Sequence, residues 1–291
     1  MQLDLFLDSR DTQLRNEAID ALRRRDGEAL RQAIGGLRAE YPDDHSLADL
    51  DLLAGTALSG AVPDSTPDSA PQIAERLALI DTELAPALRR LLGEDSAGRW
   101  LAPLFDALAA SPAARTFRRE HALTHAGALF LRGNDLAAAR AAVTRIPSWR
   151  KIPEPLSWMT EIAWREDRPA EYWPLSVELA WIAPSLFDSV LSRAPEAVRR
   201  LHGAFFSEFE SDEGSDDSSS WFPAWLLVEH SELLEYFRPL EYHPSNAARC
   251  AAVLVNLLTG ERNGLSSKLV EQRSQLRALA PRLFARYMAL R

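Results

Sequence analysis

Two histidines, His121 and His125, have the first spacing along the chain that chemistry could use. On a helix, residues four apart lie on one face, as two ligands of a metal ion would. Metalloproteases place a glutamate directly after the first histidine of such a pair, whereas this chain has Ala122 there. Because no third ligand is evident from the spacing, the sequence favours a capping or core role for both side chains and predicts no metal site.

The single cysteine, Cys250, lies in the apolar stretch Ala-Ala-Arg-Cys-Ala-Ala-Val-Leu-Val. Such a cysteine is typically a small buried hydrophobe, and a nucleophile would need a base or a helix dipole nearby to lower its pKa. The chain also has no glycine-rich phosphate loop and no Gly-x-Ser-x-Gly elbow. We therefore expect no enzyme and no cofactor; an all-helical enzyme whose site the sequence does not reveal is the alternative.

Acidic residues outnumber basic ones by 42 to 33, which gives a formal net charge of −9. Proteins that hold phosphate backbones usually present a basic face, so this balance argues against direct binding of nucleic acid. Of the 33 basic residues 31 are arginines. Three of them, Arg23, Arg24 and Arg25, end the first predicted helix, where they complement the negative end of its dipole.

The segment 207–220 contains six acidic residues and six serines with one aromatic ring. It cannot bury enough apolar surface to fold, so we predict an acidic mobile loop between two helices. Electrostatic docking on a basic partner and phosphorylation of the serines are the other functions that its composition allows.

The elements that carry these residues are predicted to be helical. Alanine and leucine contribute 45 residues each, against 17 for valine plus isoleucine, and this ratio disfavours a sheet. No uninterrupted apolar stretch reaches the roughly 18 residues of a membrane span, and the N-terminus lacks a signal-peptide pattern. We expect an all-α, cytoplasmic protein that does not enter a membrane.

Apolar residues at spacings of three and four predict a series of helices. The helix over 73–92 should kink or break at Pro86, and further helices are predicted over 98–110 and 113–131. Residues 60–71 hold three prolines and predict a flexible linker. Pro281 should bend the last helix.

The stretch 121–147 is the most informative for the fold. Two small residues on one predicted helix precede a turn at 133–135, and an alanine and a closing proline follow on the next helix. This pattern resembles a tetratricopeptide repeat, and the 34 residues from Gly133 to Asp167, in the next predicted turn, match that family's period. The resemblance implies an α-solenoid of antiparallel helical hairpins, which we expect to form a single elongated domain over 1–291.

The chain begins Met-Gln-Leu-Asp-Leu-Phe. Residues 2–6 closely resemble the short peptide by which bacterial polymerases and repair factors bind the sliding clamp. The resemblance implies that Gln2 forms the anchoring hydrogen bonds, that Leu5 and Phe6 fill an apolar pocket, and that Leu3 and Asp4 act as spacers. The alternative is that the same apolar side chains pack beneath the first helix pair.

Five of the eight tryptophans fall within 33 residues, from Trp149 to Trp181. Large side chains at helical spacing are more often core than site, so we predict that most of them form the facing stripes of one helix pair. Trp149 and Trp173 are the exceptions that we expect to line a groove and anchor a partner.

The sequence thus predicts a non-catalytic helical-repeat scaffold or adaptor that binds another protein. The second hypothesis is an accessory factor of DNA replication or repair that residues 2–6 tether to the bacterial sliding clamp. A solenoid could combine both, because its grooves would remain free for a further partner.

Overall fold

The structure, a computed structural model, describes residues 10–58, 67–209, 218–237, 244–264 and 268–291. Within these ranges every regular element is a helix and no strand occurs, which confirms the all-α class. None of the helices described is long and apolar enough to cross a bilayer.

Seventeen α-helices, joined by 3₁₀ turns and one π-helical turn, make up this part of the chain. The first eight are α1 (Arg10–Arg24), α2 (Gly27–Glu40), α3 (Leu47–Leu58), α4 (Ala70–Leu79), α5 (Ala85–Leu92), α6 (Glu94–Ala110), α7 (Ala126–Arg132) and α8 (Leu136–Thr144). The others are α9 (Pro153–Arg165), α10 (Pro169–Ile182), α11 (Pro184–Val190), α12 (Glu196–Glu208), α13 (Phe222–Glu229), α14 (Leu234–Phe237), α15 (Asn246–Arg262), α16 (Leu269–Leu279) and α17 (Pro281–Ala289).

The chain divides into two compact units, Met1–Ala142 and Val143–Arg291. In the first unit helices adjacent in sequence pack on each other, as α1 does on α2, α2 on α3, α5 on α6 and α6 on α7. Their apolar stripes meet in one core, in which Leu22, Leu30 and Leu37 are fully buried. In the second unit α9 packs on α10, α13 on α15 and α15 on α16. The single elongated domain stays a prediction.

The helix predicted over 73–92 is present and widens into a π-helical turn at Ile80–Leu84, between α4 and α5. Pro86 follows this turn and has no N–H to donate to a carbonyl one turn earlier. The N–H of Ala85 instead donates to the carbonyl of Ile80, five residues back. The proline is thus accommodated by a wider turn, without a break in the helix.

The helix predicted over 113–131 is wrong. Two 3₁₀ turns, Pro112–Arg115 and Arg119–Thr124, take the place of its first part, and α7 begins only at Ala126. His125 is the N-cap residue of α7, a position whose backbone is extended, with φ −72° and ψ 142°. The two histidines that are four residues apart therefore do not share a helix face.

Three helix pairs turn through the same geometry. Just beyond α1, α7 and α9 lies a residue with positive φ: Arg25 (56°), Asn134 (64°) or Asp167 (50°). The N–H of the following residue donates to the carbonyl five positions earlier, as in a Schellman motif. Asn and Asp tolerate this left-handed backbone, whereas arginine there costs about 1–2 kcal/mol.

In the second unit the facing stripes of α9 and α10 are buried as predicted, including Trp158, Trp164 and Trp181. The indole Nε1 of Trp164 donates to Ser176 Oγ across the helix pair at 3.0 Å.

Pro281 separates α16 from α17 and does not merely bend one helix. The residue before a proline is disfavoured in the helical region, and Ala280 has an extended backbone with φ −149° and ψ 81°.

The two segments predicted as connectors lie partly within the described residues. Of the acidic segment 207–220, the first two residues end α12 and Ser218–Trp221 form a 3₁₀ turn; the mobile loop stays a prediction. Of the linker 60–71, residues from Pro67 onward are described, and the Pro67 carbonyl accepts from Ser111 Oγ at 2.6 Å. Residues 210–217 and 59–66 lie outside the described ranges.

Candidate functional site

The residues predicted to bind a partner are placed only in part. The five N-terminal ones, Gln2, Leu3, Asp4, Leu5 and Phe6, lie outside the described residues. Trp173 on α10 is 5% exposed and its ring lies 5.4 Å from that of Tyr172, so it is a core residue and the expected groove position is wrong. The periodicity that predicted burial of its neighbours applies to it as well. Trp149 is half-buried in a 3₁₀ turn, and its role as an anchor stays a prediction.

The histidine and the cysteine that the sequence analysis considered for chemistry, His125 and Cys250, are buried in the structure. His125 is buried, and its Nδ1 accepts a hydrogen bond of 3.0 Å from the Gly127 N–H, which caps α7. Burial lowers the pKa of His125 to about 4, so the imidazole is neutral at pH 7. Cys250 is fully buried on α15, and burial raises the pKa of its thiol to about 12. A thiol with that pKa supplies almost no thiolate for nucleophilic attack.

A serine, a histidine and a carboxylate that share no sequence motif meet in the second unit. Ser219 Oγ donates to Asp188 Oδ1 at 2.6 Å, and His202 Nε2 lies 3.1 Å from that Oγ and 3.3 Å from that Oδ1. In a catalytic triad the carboxylate binds Nδ1 of the histidine, and Nε2 accepts the serine proton. Here the serine proton goes to the carboxylate, so His202 does not act as the base that takes it.

This cluster fixes the 3₁₀ turn Ser218–Trp221 to α11 and α12. The His202 ring is enclosed by phenylalanines, including Phe206 at a centroid distance of 4.7 Å and Phe222 at 5.1 Å. Burial raises the pKa of Asp188, but the hydrogen bonds from His202 and Ser219 outweigh burial and leave that pKa below its usual range. The cluster is therefore a structural clamp, in which His202 and Ser219 are buried and Asp188 reaches the surface.

The site that stands out chemically is a pocket of about 450 Å³ in the first unit. Its lining, which defines the arginine pocket, consists of Arg23, Arg25, Leu92, Ser96, Arg99 and Trp100. Half of these residues are cationic and none is acidic, in a chain whose net charge is −9. The residues come from the last turn of α1 and the residue after it, the end of α5 and the first two turns of α6.

Arg25 is held in the pocket by Trp100. Its guanidinium carbon lies 4.6 Å from the centroid of the indole, and its Nη2 donates to the Trp100 carbonyl. The indole is itself fixed, because it is 4% exposed and its Nε1 donates to the Leu22 carbonyl at 2.9 Å. The left-handed backbone at position 25 and the fixed ring thus orient one guanidinium over α6.

The other two arginines of the pocket, Arg23 and Arg99, differ in whether a carboxylate neutralises their charge. Arg99 Nη2 lies 3.2 Å from Ser96 Oγ, and neither Arg99 nor Arg25 has an ion-pair partner within the described ranges. Arg23 pairs with Asp20 at 3.0 Å one turn back on α1. Asp26, next to Arg25 in sequence, is occupied elsewhere, since its Oδ1 accepts from the Ala29 N–H at 3.0 Å and caps α2. The pocket therefore presents two guanidinium groups without a carboxylate.

Two other arginines of the first unit, Arg90 and Arg15, are neutralised by carboxylates. Arg90 donates to Asp49 at 2.6 and 2.8 Å, and this hydrogen bond raises the pKa of Arg90 above its ordinary value. Arg15 donates to Asp44 at 2.6 Å with the same effect on its pKa. Burial lowers the pKa of Arg25 instead, because no carboxylate stabilises its charge. An added anion would supply that stabilisation.

The sequence contains one signal of this pocket, the run Arg23–Arg25, which we interpreted as three arginines at a helix C-terminus. Nothing in the sequence joins Arg25 to Trp100, 75 residues further along the chain. The positive φ at Arg25 is the feature that separates it from the two arginines before it.

Among the residues that the structure describes, no three His, Cys, Asp or Glu side chains lie close enough together to hold a metal ion.

In comparisons with family models, curated proteins and solved structures, nothing matches this chain.

Proposed function

We propose that the protein is a non-catalytic cytoplasmic adaptor that binds an acidic segment of another protein in the arginine pocket. The observation that carries the proposal is the pair of guanidinium groups of Arg25 and Arg99, which share one pocket and meet no carboxylate in the described ranges. Arginine forks match the oxygen atoms of carboxylates and phosphates, and Arg clusters recognise acidic motifs in proteins.

Two further observations favour binding over catalysis. Ser96 is the one hydroxyl in the lining, and no histidine or carboxylate lines the pocket beside it to remove its proton. Outside the pocket, the reactive side chains have structural roles. Cys250 is buried, His125 caps α7, and His202 contacts Ser219 in the clamp.

The architecture that we propose for this adaptor is a tetratricopeptide-like α-solenoid. The shared turn geometry after α1, α7 and α9 and the packing of neighbouring helices support it. A stack of helix pairs buries one face and leaves its turns and outer surfaces free to vary, and the arginine pocket forms at one such turn.

Isothermal titration of the full chain with a short glycine–glutamate peptide tests the proposal. At low salt we expect Arg25→Gln and Arg99→Gln together to weaken binding at least tenfold, because both lose their forked donors. The control is Arg24→Gln, which removes one positive charge from a residue that lines a different depression beside Glu17 and Asp20. Equal affinities for the double variant and the control would refute the proposed function.

The N-terminal segment favours a second candidate function, a tether to the bacterial sliding clamp through residues 2–6. This proposal rests on the match of all five residues to the clamp-binding peptide. Purified clamp should be retained by the full chain and lost from a variant that lacks residues 1–7. Retention by both would refute the tether and leave the arginine pocket untouched.

A further inference from the structure

The number of free charges in the arginine pocket specifies its ligand more closely. Arg23 is neutralised by Asp20, so the net charge available to a ligand is that of Arg25 and Arg99. A phosphoryl group near pH 7 carries close to two negative charges on three oxygens within one small group. A single carboxylate would neutralise only one of the two guanidinium groups.

The charge of the whole chain favours a compact anion over an extended one. A run of carboxylates long enough to place two in the pocket also places others over the surrounding surface, and the net charge of −9 repels them. One phosphoryl group confines both charges to the pocket. On this basis, and resting on the proposed function, we propose that the arginine pocket binds a phosphorylated serine or threonine of the partner protein.

The lining includes the groups that such a ligand needs. Arg25 and Arg99 both line the pocket, and each guanidinium carries N–H groups that can donate to phosphoryl oxygens. Ser96 Oγ, which lies 3.2 Å from Arg99 Nη2, can donate its own proton to a third oxygen. Leu92 supplies an apolar wall for the side chain or backbone next to the phosphorylated residue.

The same lining disfavours a nucleotide or a nucleic acid strand. Recognition of a base without sequence preference uses the open face of an aromatic ring. Trp100 is 4% exposed and Arg25 covers it, so it offers no such face. The volume of about 450 Å³ far exceeds one phosphate ion, which leaves room for the residues on either side of a phosphorylated one.

Four probes test the inference by titration of the full chain: a glycine-rich peptide with one phosphoserine, its serine and glutamate counterparts, and inorganic phosphate. At pH 7.5 we expect the phosphopeptide to bind at least tenfold more tightly than each of the others. Between pH 7.5 and pH 5 its affinity should fall about tenfold, because the second pKa of the phosphate is about 6. The affinity of the glutamate peptide should change far less, since its carboxylate stays largely ionised.

Two variants locate the site. Arg25→Gln with Arg99→Gln should remove the preference for the phosphopeptide, and Arg24→Gln should retain it. Ser96→Glu provides a second approach, because it introduces a carboxylate beside Arg99 in the first turn of a helix, where glutamate is well tolerated. We expect it to weaken phosphopeptide binding at least tenfold while circular dichroism stays unchanged.

The outcomes separate this inference from the proposed function. If the glutamate peptide binds as tightly as the phosphopeptide, and both depend on Arg25 and Arg99, the phosphoryl ligand is refuted and the acidic-segment adaptor stands. If inorganic phosphate matches the phosphopeptide, the partner protein is refuted as the source of the phosphate. If no probe binds in a way that depends on these arginines, both proposals fail.

Discussion

Two arginines lie over aromatic rings of the same helix, α6, and only one of them is neutralised. Arg132 is 4.4 Å from the centroid of Phe105, and its guanidinium donates to both oxygens of Asp81. Arg25 is 4.6 Å from the centroid of Trp100 and has no carboxylate partner within the described ranges. Since the ring contacts are alike, what distinguishes the two sites is the charge left over. The Arg132 site is complete, and the Arg25 site has a charge to share with a ligand.

The turns next to these two arginines differ in which residue takes the left-handed backbone position. Beyond α7 the left-handed position is taken by Asn134, which suits it, and Arg132 remains helical. Beyond α1 the arginine itself takes that position, at a cost of about 1–2 kcal/mol. Strained backbone is often found at binding sites, where the rest of the fold holds it in place. The cost and the missing carboxylate both mark Arg25 as the binding residue of the pair.

The largest expected effect tests whether the two rings are equivalent. Trp100 and Phe105 are each 4% exposed, so replacing either by alanine should lower the free energy of unfolding by about 3–5 kcal/mol. Urea denaturation measures both losses. Leu123→Ala, at a side chain that is 68% exposed, is the control and should change stability by less than about 0.5 kcal/mol. If only Trp100→Ala caused a small loss of unfolding free energy, the two rings would not be equivalent parts of the core.

Acid should destabilise α7, the helix that contains Arg132, because His125 caps the start of this helix. The pKa of His125 is about 4 in the folded chain against 6.5 as its ordinary value, so between these pH values the unfolded chain binds more protons. Stability therefore falls as the pH drops through this window, by at most about 3 kcal/mol. His125→Asn can still cap α7 and should remove most of this dependence in denaturation at pH 7 and pH 4.5.

Amide hydrogen exchange shows where the acid acts. We expect faster exchange in α7 at pH 4.5 than at pH 7, after correction for intrinsic rates, with α1 much less affected. Equal pH dependence of stability in the wild type and in His125→Asn would contradict the assignment of the effect to this cap.

A smaller effect tests how closely the Arg132 turn fits α6. A Cβ added at Gly133 would lie 2.7 Å from Asp106 Oδ1 and 3.3 Å from the Ala102 carbonyl oxygen. Gly133→Ala should therefore cost about 1–3 kcal/mol. Gly98→Ala is the matched control on α6, since nothing lies within 4 Å of its Cβ, and it should stabilise the helix by about 0.5–1 kcal/mol. If Gly133→Ala left the free energy of unfolding unchanged, the turn at Gly133 would have room for a Cβ and would not fit closely against α6.

Local patterns allowed much of the fold to be predicted from the sequence. The apolar stripe of α1 and the burial of Trp164 follow from helical spacing, which each segment contains in itself. The same reasoning failed at His121 and His125, because the non-helical backbone at His121 and the cap that His125 forms outweigh a period that fits a helix. It missed Arg25 because the ring that orients this side chain is 75 residues away, and only packing brings the two together.

Arg25→Gly tests the central claim most directly. Glycine removes the side chain from the pocket and relieves the left-handed backbone, so the gain offsets the lost contact with Trp100. The account predicts an unfolding free energy within about 1 kcal/mol of the wild type, together with at least tenfold weaker binding of the phosphopeptide. A variant that is destabilised by more than about 2 kcal/mol and binds the phosphopeptide normally would show that Arg25 only supports the fold.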